Sequence, residues 1–169
     1  QLLETNARIV AGCAKAIKKY APHSIVIVVS NPLDAMTWLT AEITRFDKSR
    51  VIGMAGVLDS SRLRLFLAEA LSASVKDIQA MVLGGHGEEM VPILSYCSWQ
   101  GEKLERVLNK ARLEEIIART RRAGAEIVSK LKTSAYYSPS ASCFEMIKAV
   151  FFNERRLLAC SAWLNGEYG

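Results

Sequence analysis

Residues 23–32 read HSIVIVVSNP, with five consecutive β-branched residues from Ile25 to Val29. Such side chains are stiff at χ1 and pack well on a pleated surface, so the run predicts a strand. It does not alternate with polar residues. Both faces are therefore expected to be buried, as in a parallel sheet. Upstream, LLETNARIVAGCAKAIKKYAP sets Ile9, Val10, Cys13, Ala14 and Ile17 at helical spacing, with Lys18 and Lys19 near its end and Pro22 as its stop. Downstream, DAMTWLTAEITRF reads as a second helix and RVIGMAG as a second short strand. Helix, strand, helix, strand is the order of a doubly wound α/β fold.

The rhythm changes after Gly56. LDSSRLRLFLAEALSA is helical, DIQAMVLGG reads as one strand, and EMVPILSYCSW as another that Pro92 confines to an edge or a bend. Residues 110–132 carry the longest helical pattern, with Leu113, Ile116, Ile117, Ile127, Val128 and Leu131 on one side. A further helix is expected in SPSASCFEMIKAVFF, and LLACSAWLNGEYG reads as a strand entering an Asn-Gly hairpin turn. That hairpin has no second arm, and no strand with a G-x-G-x-x-G turn opens the chain. A piece of a longer protein is expected on both grounds.

With 169 residues, 50% hydrophobic and 23% charged, the composition is that of a globular chain rather than a disordered or fibrous one. The net charge is +5, but in residues 103–132 the basic residues are mixed with acids and no aromatic residues interleave them, so nucleic-acid binding is not expected. No apolar run approaches the ~18 residues of a membrane span, and no signal peptide is legible. A cytoplasmic protein without a membrane partner is the expectation. The four cysteines, Cys13, Cys97, Cys143 and Cys160, form no C-x-x-C pair, so they are read as reduced, partly buried residues and no metal site is expected.

Three stretches hold polar residues in apolar surroundings: VVSNP, VLDSSRLR and VLGGHGEEMVP. Asn31 follows a predicted parallel strand, where ligands bind in open α/β sheets, although Asn before Pro is also a good turn former. Asp59 and Arg62, three apart on a helix, emerge on one face, which suits either a shared site or a local ion pair. His86 is one of two histidines and stands among glycines that admit close approach, in a ligand loop or in an ordinary turn. Together the set acquires a chemical meaning. A histidine exchanges protons near neutral pH, a carboxylate on one ring nitrogen fixes its tautomer, and an arginine holds a carboxylate with two parallel hydrogen bonds. Proton transfer at a hydroxyl beside a carboxylate is the reaction this set suits.

In IVIVVSNPLDAMTWL, RVIGMAGVLDSSRLRLFLA, VLGGHGEEMVP and CSAWLNGEYG, in that order, the chain resembles the lactate/malate dehydrogenase family along nearly its whole length. The resemblance implies an α/β chain in which residues 1–54 are the remaining part of a Rossmann-type NAD-binding domain and 55–169 a truncated, mixed α+β substrate domain. It further implies NAD as cofactor and the reversible oxidation of malate to oxaloacetate, a tricarboxylic acid cycle reaction. His86 is then the general base and acid and Asp59 its carboxylate partner. Arg62 holds the substrate carboxylate, Asn31 bonds the reacting oxygen, and Val29, Ser30 and Asn31 line the nicotinamide end of the cofactor. The Asn31–Pro32 bond is expected to be cis. Lactate or another 2-hydroxy acid is the alternative substrate, a homodimer or homotetramer the expected full-length assembly, and a non-catalytic oligomerisation module the alternative from another class.

Overall fold

A computed structural model describes residues 2–167, and residues 168–169, the end of the expected hairpin stretch, lie outside the described residues. The chain divides into two units, one of residues 1–54 with 160–169 and one of residues 55–159.

In the first unit, helix α1 (Leu2–Tyr20) leads to strand β1 (Val26–Val28), helix α2 (Leu33–Thr44) and strand β2 (Val51–Gly53). β1 and β2 are parallel, with Val26 opposite Val51 and Val28 opposite Gly53. Burial on both faces of β1 was expected and is not found. Within β1, Val28 is buried and Val26 and Ile27 are half-buried, while Ile25 and Val29, just outside it, are exposed. β1 has one neighbouring strand among the described residues. β2 also pairs with β8 (Ser161–Ala162), which runs antiparallel to it.

Helix α2 buries an unusual face, with Thr37, Thr40 and Thr44 alongside Leu33 and Met36. The hydroxyls remain satisfied because each donates back along the helix, to the carbonyls of Leu33 (2.9 Å), Met36 (2.7 Å) and Thr40 (2.8 Å). Arg45 closes α2 in the left-handed conformation, its N–H bonded to the Ala41 carbonyl.

The second unit is built on α3 (Gly56–Leu71). The expected single strand DIQAMVLGG is instead two, β3 (Ile78–Gln79) and β4 (Val82–Gly84). They part because they have different partners. β3 pairs with β6 (Ser98–Trp99), and β4 with β5 (Met90–Pro92). The stretch expected as one strand after His86 is broken likewise, by a 3₁₀ turn at Leu94–Tyr96 between β5 and β6. β7 (Glu102–Lys103) completes the second sheet, and α4 (Leu104–Val107), α5 (Lys110–Leu131) and α6 (Tyr137–Phe151) follow.

Leu63, Phe66 and Leu67 of α3 pack with Ile78, Val82, Met90, Leu104, Leu113 and Ile116 in one core. The buried face of α5 runs through Leu113, Ile116, Thr120 and Ala123 and not, as the periodicity suggested, through Val128 and Leu131, which are exposed.

Gly56, at the start of α3, shows how tightly the helix meets β4. A Cβ there would lie 2.5 Å from both the Val82 carbonyl oxygen and the Ala159 Cβ. Gly56→Ala should lower stability by about 1–3 kcal/mol, the usual cost of overpacking against atoms that cannot swing away. A urea midpoint equal to that of the unmodified protein would show that the contact yields.

Candidate active site

Asp59 projects from the first turn of α3 and is buried. An unpaired carboxylate in such a place would be costly. Its two oxygens are instead divided between two partners. Oδ2 meets Nδ1 of His86 at 2.8 Å, and Oδ1 lies 3.5 Å from Nη1 of Arg62, one helical turn further on. An ionised carboxylate only accepts, so the pairing places a proton on Nδ1. The arginine contact is at the limit of hydrogen bonding, so Arg62 acts on Asp59 mainly as a nearby charge.

The histidine reaches this position through a hairpin. β4 and β5 pair antiparallel up to Gly84 opposite Met90, leaving residues 85–89 as the loop that carries His86. Gly84 adopts φ +79°, a left-handed conformation costly for other residues, and a Cβ there would lie 2.6 Å from the Glu89 carbonyl oxygen. Two side chains from outside the hairpin hold its arms. Ser60 Oγ accepts the Val82 N–H at 2.9 Å, and the Arg121 guanidinium donates to the Met90 carbonyl, from Nη2 at 3.2 Å and from Nε at 3.4 Å.

Neither Ser60 nor Arg121 stood out in the sequence. Serine within DSSR looks like any helix-surface residue, and Arg121 sits in an ordinary run of charge.

Arg62 is the other notable charge. Its side chain is 13% exposed, and its Nε is buried without a hydrogen-bond partner among the described residues. Burial pushes the guanidinium's pKa below its usual value, against Asp59, which pushes it up. Arginine nevertheless stays charged in proteins. A half-buried cation with an unused buried donor, whose neighbouring anion is shared with a histidine, is suited to receiving an anionic ligand.

The structure thus brings Asp59, Arg62 and His86 together within the second unit. Val29, Ser30 and Asn31 belong to the first, where they form an exposed segment at the carboxyl end of β1. The Asn31–Pro32 peptide bond is cis, and the Asn31 carbonyl accepts a hydrogen bond from Asn6 Nδ2 at 2.6 Å. An exposed segment after a parallel strand is where open α/β sheets receive ligands. Of the cysteines, expected to be partly buried, Cys97 is buried, Cys143 and Cys160 are half-buried and Cys13 is exposed. No described helix is long and apolar enough to cross a membrane.

Within the second unit, a histidine paired with a buried aspartate beside an under-partnered arginine is an arrangement suited to acid–base chemistry on an anionic ligand. Comparison with known proteins specifies the class. The chain belongs to the lactate/malate dehydrogenase family: residues 1–53 match its NAD binding domain and residues 56–169 its alpha/beta C-terminal domain. Malate dehydrogenase 1 of Aquifex aeolicus is 52% identical over 168 residues, covering 99% of this chain and 50% of that protein. The solved malate dehydrogenase of Salinibacter ruber superposes with a TM-score of 0.96 at 46% identity, over 99% of this chain and 55% of that one. The lactate dehydrogenase of Cryptosporidium parvum superposes at 0.94 with 38% identity, over 100% and 58%. The chain spans about half the length of the curated relatives it matches.

Proposed function

We propose that the protein to which this chain belongs is an NAD-dependent malate dehydrogenase of the tricarboxylic acid cycle, a cytoplasmic homo-oligomer. In this reading residues 1–54 are the later part of its NAD-binding domain and 55–169 the substrate domain, whose β8 returns to pair with β2 of the first unit. The observation that carries the reading is the 2.8 Å contact between His86 Nδ1 and a buried Asp59 with Arg62 beside it. With Nδ1 committed to Asp59, Nε2 is the atom that takes the proton from the malate hydroxyl and returns it to oxaloacetate in reverse. Asp59 keeps the ring in this tautomer and stabilises the imidazolium that forms. Arg62 grips the substrate carboxylate and so orients the hydroxyl. NAD, when bound, accepts the hydride from the substrate carbon. Val29, Ser30 and Asn31 are assigned to its nicotinamide end, and Asn31 also to the reacting oxygen.

The closeness to curated malate dehydrogenases favours malate over lactate. Initial rates with NADH test the choice: oxaloacetate should be reduced about 10⁴-fold more efficiently than pyruvate, the scale on which a polar group left without its partner separates two substrates. Preference for pyruvate would make the protein a lactate dehydrogenase. Arg62→Lys should raise the KM for oxaloacetate about ten- to a hundredfold, since an ammonium loses the planar two-point grip. An unchanged KM would remove Arg62 from the substrate.

A further inference from the structure

The Ser60 hydroxyl is a second tether on the catalytic pair. Gly56 and Ser60 are one turn apart on the same face of α3, and both meet Val82. Gly56 lets the helix backbone close on the Val82 carbonyl, while Ser60 Oγ accepts the Val82 N–H at 2.9 Å. Val82 is fully buried, and its N–H is spent on the helix rather than on the facing strand. Ser60 directly follows Asp59, and Val82 opens the strand that runs into His86. The only covalent route between Asp59 and His86 is the intervening chain of residues 60–85. The Ser60–Val82 bond bypasses it, joining the helix that bears the carboxylate to the strand that delivers the imidazole.

We propose that Ser60 is a positioning residue, whose hydroxyl sets the separation of Asp59 and His86 by fixing α3 against β4. It touches neither substrate nor cofactor in this scheme. The consequence for turnover rests on the dehydrogenase reading above, whereas the consequence for the Asp59–His86 contact does not.

Proton NMR of the full-length protein reads the contact directly. The ring proton shared between Nδ1 and the carboxylate should give a far-downfield resonance that disappears in His86→Asn. In Ser60→Ala that resonance should shift or vanish, and kcat for oxaloacetate should fall about ten- to a hundredfold, the effect of a misplacement near 1 Å. KM should hold within about twofold, because Arg62 is untouched; uniform binding and transition-state effects separate in this way. Ser60→Thr, which keeps a hydroxyl, should restore resonance and kcat together. Should Ser60→Ala not fold, Ser60→Cys, with a thiol that accepts weakly, carries the same expectation. An unchanged resonance in a folded Ser60→Ala or Ser60→Cys protein overturns the proposal. A resonance that responds as expected in a protein that turns over neither oxaloacetate nor pyruvate would sustain it and overturn the functional reading instead.

Discussion

Replacing His86 by asparagine should reduce turnover of oxaloacetate by about 10²–10⁴-fold, the range that positioned acid–base catalysis supplies. Asparagine preserves polarity and can still donate a hydrogen bond toward Asp59, but it cannot exchange a proton near neutral pH. Cofactor binding should survive, because the residues assigned to it, Val29, Ser30 and Asn31, lie in the other unit. Comparing kcat with cofactor affinity in the variant checks both halves. Near-normal turnover would remove the proposed proton transfer, and loss of cofactor binding as well would point to a structural role for the ring.

The largest stability loss should come from Leu67→Ala. Leu67 is completely buried in α3, within the core that joins the helix to Ile78, Val82, Met90, Leu113 and Ile116. Truncation removes the transfer energy of its methyl groups and leaves a cavity that close-packed neighbours refill only in part. About 2–5 kcal/mol is expected, measurable as a lower denaturant midpoint with an unchanged slope. Because the same helix carries Asp59, part of the loss should appear as lower activity at temperatures where the wild-type protein is intact. A loss below about 1 kcal/mol would mean that the core collapses onto the space.

The helices and the parallel pair were legible because their cause is local. β-Branched residues mark β1, and apolar residues at helical spacing mark α1 and α5. The degree of burial of β1 was not legible, since it depends on what packs over its faces. The separation of β3 from β4 was equally hidden, because each strand's partner lies well beyond any local window. Among the site residues, the Asp59–Arg62 proximity follows from three-residue spacing on a helix. The Asp59–His86 contact does not follow from spacing, for 27 residues separate them. Its expectation came from family likeness, and the Ser60–Val82 bond that helps create it left no trace in composition or pattern.

In the proposed mechanism Asp59 and His86 work as one unit. A double-mutant cycle on oxaloacetate reduction, with Asp59→Asn, His86→Asn and the pair, tests this most directly. Residues acting together lose their function once, so the double variant should be no slower than the worse single variant to within about threefold. Losses that multiply instead would show that the two side chains contribute independently, and would contradict the mechanism.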